Sequence, residues 1–67
     1  MVITLNNCTE HIEASGLMVT DLLKIKNFTF KMLVVKINGV LVKRSEYEKT
    51  PIHEGDDVMV LHLISGG

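Results

Sequence analysis

Apolar and polar positions alternate from the start of the chain. Val2 to Asn6 puts Ile3 and Leu5 on one side, which predicts a strand with a single buried face. Asn6-Asn7 is a turn signal. From Glu10 to Ala14 the alternation returns with Ile12 and Ala14 inward, so the two segments predict a hairpin whose turn holds Cys8. Ser15-Gly16 breaks the second strand. From Met18 to Asn27 the period lengthens, and Val19, Leu22, Leu23 and Ile25 fall at roughly helical spacing. Asp21 near the start, and Lys24 and Lys26 near the end, suit the helix dipole. Thr20 is a candidate cap, while Met18 stands where Ser or Thr would cap better. Asn27 can end the helix in a left-handed conformation.

Phe28 and Phe30 flank Thr29 and predict two aromatic anchors under a loop. Leu33 to Ile37 is apolar except for Lys36 and predicts a mostly buried strand. Asn38-Gly39 is the strongest short hairpin signal, and Val40 to Val42 is a short strand. Ser45 to Lys49 is polar apart from Tyr47 and suits one helical turn pinned by a ring. Pro51 blocks continuation, and Glu54-Gly55-Asp56 predicts a turn. Val58 to Leu63 is the last strand, apolar on both faces apart from His62. The first and last strands are the most apolar and belong side by side in the middle of the sheet. The order predicts an α+β, β-grasp fold, with a mixed sheet of four to five strands and one main helix on one face. Residues 1–64 form the domain and 65–67 a flexible tail. With a single helix for cover, Val58 and Val60 should point inward and Met59, Leu61 and Leu63 outward. That leaves an apolar patch beside the tail.

Composition narrows the functions. At 67 residues the chain holds one small domain, of a size that buries only about 60% of its unfolded surface. Apolar residues reach 46% against 22% charged, which excludes a disordered segment. Seven basic and eight acidic side chains give a net charge of −1, against a dedicated nucleic-acid binder. The single cysteine excludes an intramolecular disulfide and a four-thiolate cluster. The longest apolar runs are four residues, whereas a membrane helix needs about 20. No secretory signal is visible, so a reducing, cytoplasmic setting is expected. So small a chain has little room for a cleft, and should act on, or be acted on by, something larger.

His11, His53 and His62 fall on different elements without ligand spacing and read as ordinary polar surface. Cys8 has no His or Asp partner nearby in sequence and reads as an incidental thiol. No Gly-rich phosphate loop occurs. The terminal Gly66-Gly67 is different, because a stable fold does not require it. At average glycine usage such a pair is roughly a half-percent coincidence, although a frayed end also tolerates glycine. Without Cβ atoms this end is a thin thread terminating in a carboxylate. Four residues after the last strand could reach about 13–14 Å into a partner's tunnel. There an enzyme that owns an ATP site could activate the carboxylate. Such an end is a substrate handle, with no base or nucleophile beside it.

Ile37-Asn38-Gly39, Val42-Lys43-Arg44, Tyr47, Ile52, Gly55-Asp56, Val58 and Val60, ending in Gly66-Gly67, resemble the small sulfur carrier of thiamine biosynthesis, the ThiS family. The opening Ile3-x-Leu5-Asn6 and the helix pattern of Val19, Asp21, Leu22 and Leu23 match as well. The resemblance spans nearly the whole chain. It implies a ubiquitin-like fold and a protein co-substrate rather than an enzyme. An adenylating enzyme, using ATP and Mg²⁺, would activate the carboxylate of Gly67. A cysteine desulfurase system would supply sulfur to make a thiocarboxylate, and thiazole synthase would receive it. The carrier itself would bind no cofactor, nucleic acid or membrane. Carried over by position, Gly67 bears the sulfur and Gly66 keeps the thread slim. Met59, Leu61 and Leu63, with Ile64 and Ser65, form the partner surface. Lys43, Val40 and Met18 depart from the family's usual proline, acidic residue and capping hydroxyl. The nearest rival is the small subunit of molybdopterin synthase, and a rival of another class is a non-catalytic β-grasp interaction module.

Overall fold

A computed structural model describes residues 1–28 and 32–62; Phe30 and the predicted tail with Leu63, Ile64, Ser65, Gly66 and Gly67 lie outside them. The first hairpin pairs β1 (Val2–Leu5) with β2 (Cys8–His11). Asn6 and Asn7 have φ of 49° and 67°, the left-handed pair that a two-residue hairpin turn requires and that asparagine tolerates. A turn this tight restarts pairing at once. The second strand therefore begins at Cys8, opposite Leu5, rather than at Glu10, and Cys8 is a strand residue rather than a turn residue. Ile12 and Ala14 lie beyond the strand but still turn inward, Ile12 fully and Ala14 partly buried.

The helix is α1 (Val19–Ile25), shorter than predicted. Met18 is extended at its N-cap, and the Asp21 carboxylate accepts the Met18 N–H at 3.0 Å. Thr20 is not the cap. The first helical N–H groups instead reach a loop: Val19 donates to the Thr50 carbonyl at 3.0 Å and Thr20 to that of Tyr47 at 3.2 Å. Backbone carbonyls thus satisfy donors that a capping hydroxyl would otherwise take, which explains why Met18 suffices. The exit is a Schellman motif. Asn27 has φ 57°, its N–H reaches the Lys24 carbonyl, and the Phe28 N–H reaches the Leu23 carbonyl at 2.8 Å. Phe28 then packs against the core, as an anchor should. Val19 and Leu22 are buried and Leu23 partly so, but Ile25 is 57% exposed. At about 100° per residue, Ile25 stands roughly 120° from Val19, beyond the edge of the apolar stripe.

β4 (Leu33–Ile37) and β5 (Val40–Val42) form the second hairpin across Asn38-Gly39, with φ of 51° and 82°. A 3-10 turn spans Arg44–Glu46, one residue earlier than Ser45, and Tyr47 caps it while packing on the core. Two short strands that periodicity could not reveal, β3 (Leu17–Met18) and β6 (Pro51–Ile52), pair with each other and bury Leu17 and Ile52. The last strand is β7 (Asp57–His62). Among the described residues the main sheet has five strands in the order β2-β1-β7-β4-β5, with β1 and β7 parallel and the other neighbours antiparallel. The first and last strands do lie side by side, as expected.

Helix and sheet close on a core in which Ile3, Val19, Leu22, Val35, Ile52 and Val58 are essentially inaccessible. Lys26 and Glu10 pair at 3.1 Å and tie the helix end to β2, a partly exposed contact worth at most about 1 kcal/mol. Leu22→Ala should cost about 2–5 kcal/mol through lost burial and a cavity, and Ile25→Ala within about 0.5 kcal/mol. Urea unfolding of both variants checks this, and similar midpoints would contradict the packing.

Candidate docking face

β7 is held at three places. At its start, the Asn38 N–H reaches the Asp57 carbonyl at 2.7 Å, and the Asn38 side-chain oxygen accepts the Asp57 N–H at 2.9 Å. The Asn38 amide also donates to Asp56 at 3.1 Å. The preceding loop is pinned to β1, where the Gly55 N–H reaches the Val2 carbonyl and the Val2 N–H reaches the Glu54 carboxylate, both at 2.8 Å. Further along, β1 ends at Leu5, and Asn6 takes its place. The Asn6 N–H reaches the Val58 carbonyl at 2.9 Å, while its side-chain oxygen accepts the Val60 N–H at 2.8 Å. One side chain thereby continues the ladder beyond the end of its strand.

Strand alternation sorts the side chains. Val58 and Val60 are buried, as predicted, at 0% and 6% exposure. Met59 is half-buried and Leu61 is 42% exposed, on the other face. Register completes that outer face. Lys36 lies between Met59 on β7 and Leu41 on β5, and Val34 lies opposite Leu61. Leu41 is 59% exposed and Val34 half-buried. The outcome is an apolar patch of Val34, Leu41, Met59 and Leu61 with a lysine set into it. Leu63, Ile64 and Ser65, predicted to extend it, and Gly66 and Gly67, lie outside the described residues. Val34, Lys36 and Leu41 were not among the predicted surface residues. Their signal was Lys36 itself, a charge inside an apolar run, which marks the alternate positions of that strand as outward. Asn6 read only as a turn residue, because a side-chain bond across 54 positions leaves no local trace.

The remaining chemistry-bearing residues do not converge. Cys8 is exposed at the start of β2. The His53 ring nitrogen lies 3.8 Å from Asp56, which also accepts the His53 N–H at 2.8 Å. Among the described residues no three His, Cys, Asp or Glu side chains gather as a metal site, and no helix is long and apolar enough to cross a membrane. An open hollow of about 600 Å³, lined by residues including Met1, Leu17, Met18, Pro51 and Ile52, lies beside the β3–β6 pair.

The ThiS family model matches residues 3–67. The chain belongs to the ThiS family. A crystal structure of thiamine biosynthesis protein ThiS from Geobacter metallireducens is similar at 29% identity, covering all of both chains with a TM-score of 0.89. A solution structure of a thiamine biosynthesis protein from the same organism is similar at 29% identity, covering all of this chain and 88% of the other, with a TM-score of 0.82. Comparison with curated proteins gives no significant match. The expected β-grasp fold is thus that of this ThiS-family member.

Asn6 does two things in this ThiS-family chain, adopting a left-handed backbone and bonding Val60. Asn6→Gly keeps the first and loses the second, at about 1 kcal/mol. Asn6→Ala loses both, at roughly 2 kcal/mol or more. Denaturant midpoints in the order wild type, glycine, alanine are expected.

Proposed function

We propose that the chain is a sulfur carrier of thiamine biosynthesis, a protein co-substrate whose chemistry is confined to the carboxylate of Gly67. The observation that carries this reading is the family match across residues 3–67, which includes the terminal Gly66-Gly67. A carboxylate is a poor electrophile at neutral pH. An adenylating partner, using ATP and Mg²⁺, joins AMP to it and releases pyrophosphate. Sulfur from a persulfide of a cysteine desulfurase system then displaces AMP. Reductive cleavage of the resulting sulfur–sulfur bond by a thiol leaves a thiocarboxylate, the form that thiazole synthase consumes.

In this reading the chain contributes position rather than catalysis. Gly66 and Gly67 have no side chains to obstruct a narrow active-site channel. Met59, Leu61 and Leu63, with Ile64 and Ser65, meet the partner beside that channel, and the chain holds no cofactor of its own. The compartment consistent with this chemistry is the cytoplasm, where thiols stay reduced.

Intact-mass analysis tests the proposal. After incubation with the adenylating enzyme, ATP, Mg²⁺ and a sulfur donor, one C-terminal oxygen should be replaced by sulfur. Deleting Gly67, or adding a tag after it, should abolish the change while leaving the urea midpoint within experimental error. The gene should restore thiamine-independent growth to a strain lacking its thiamine sulfur carrier. Rescue only of a strain lacking the molybdopterin carrier would refute the assignment.

A further inference from the structure

We propose that Lys36 is a specificity-determining residue for the adenylating partner, pairing with a carboxylate set in an apolar part of that enzyme's surface. This rests on the carrier reading above and deepens it.

The placement of Lys36 is unusual for a surface lysine. It lies on β4, a strand with neighbours on both sides, flanked in register by Met59 and Leu41. The next outward row holds Val34 and Leu61. A partner that covers these apolar side chains must also cover the ammonium group among them. Such a charge loses its water on docking, and an unpaired buried charge is costly, so the partner must offer a counter-charge. Among the described residues the chain does not supply one, and Lys36 forms no ion pair.

Among the described residues, the charges on and beside the patch are those of Lys36, Lys43 and Asp57. Lys43 follows the buried Val42 in an extended conformation and is exposed at the margin. Asp57, opposite Thr4, points outward two positions before Met59, about 7 Å along the strand, and forms no ion pair with Lys36. Asp56 is already engaged by Asn38 and His53. The chain as a whole carries −1, yet two lysines against one aspartate leave the described part of this face net positive. An apolar centre with two cations among the described residues suits an acidic protein surface better than a nucleic acid, which demands many phosphate contacts. We assign the site to the adenylating enzyme because loading of every carrier molecule begins with that encounter.

The test compares thiocarboxylate formation, read by intact mass over a range of carrier concentrations, for the full chain and four variants. Lys36→Gln should raise the half-saturating concentration about tenfold, with the rate at saturation unchanged, and flatten its salt dependence. Lys36→Glu should be worse, and Lys36→Arg should stay within about threefold of wild type. Lys43→Gln, at the margin, should cost no more than about threefold. All four substitutions are at exposed positions, and unchanged urea midpoints would show that folding is not the cause. If Lys36 served only to keep the face soluble, Lys36→Glu would load as well as wild type, and that result overturns the inference. Loading that is unchanged in Lys36→Gln, while transfer to thiazole synthase slows, overturns the assignment to the adenylating enzyme. So does unaltered loading together with a loss of binding to RNA or to phosphatidylserine vesicles. In each of these cases wild-type loading still stands. Failure of the wild type itself to gain sulfur removes the carrier reading, and this inference with it.

Discussion

The seating of β7 between β1 and β4 is the constraint on which the rest of the structure depends. A strand at the centre of a sheet has both backbone edges and one face committed, so its path leaves little freedom. Here Val58 is inaccessible and Val60 nearly so, and burying each contributes about 1.5–3 kcal/mol. For a domain whose whole stability is about 5–15 kcal/mol, that is a large share. Asn38 and Asp57 fix where the strand begins, and Asn6 holds it past the point where β1 stops. The last described residue, His62, therefore lies on a strand held at both edges. A terminal carboxylate can be delivered to a defined place only if its last anchored residue has a defined position.

The same constraint divides the sheet into two faces. Alternation sends Val58 and Val60 to the helix, and for that reason sends Met59 and Leu61 away from it. Among the described residues no second layer covers that side. An open apolar face on a central strand invites aggregation as readily as recognition. Lys36, set between Met59 and Leu41, limits the first, because a charged group cannot be buried against just any apolar surface. The lysine and the patch are therefore two halves of one device, one supplying contact area and the other restricting what may use it.

Much of this arrangement could be read from residues that obey local rules. Asn38-Gly39 demanded a hairpin and Asn27 stopped the helix, because each depends on its immediate neighbours, while the inward placing of Val58 and Val60 rested on there being one helix to cover the strand. The misses share a different cause. β3 and β6 have two residues each and exist only because they meet each other, so no period could reveal them. Ile25 had suitable spacing, but a seven-residue helix over a narrow sheet buries only part of an apolar stripe. Met18 looked like a poor cap until the carbonyls of Tyr47 and Thr50 proved to take up the helix donors. At the docking face, Met59 and Leu61 were legible from alternation. Lys36 marked Val34 as outward, but the placement of Val34 and Leu41 beside Leu61 and Lys36 depended on cross-strand register, which the sequence does not print.

The size of the outer patch also bears on how tightly it can hold anything. The four apolar side chains of the described part, two of them already half-buried, fall well short of the roughly 1,200–2,000 Å² that specific, stable complexes bury. Contact through this face alone is therefore weak and short-lived. Under the proposed function the carrier leaves one enzyme to visit another and needs that weakness, since tight docking at the first would slow every later step. Selectivity then has to come from something other than area. A lysine whose charge must be matched can exclude wrong partners without strengthening the right complex greatly, because most of its attraction is offset by lost hydration. Under that proposal the tail adds affinity only where a channel accepts it. Neither element needs to bind strongly when both must be satisfied at once.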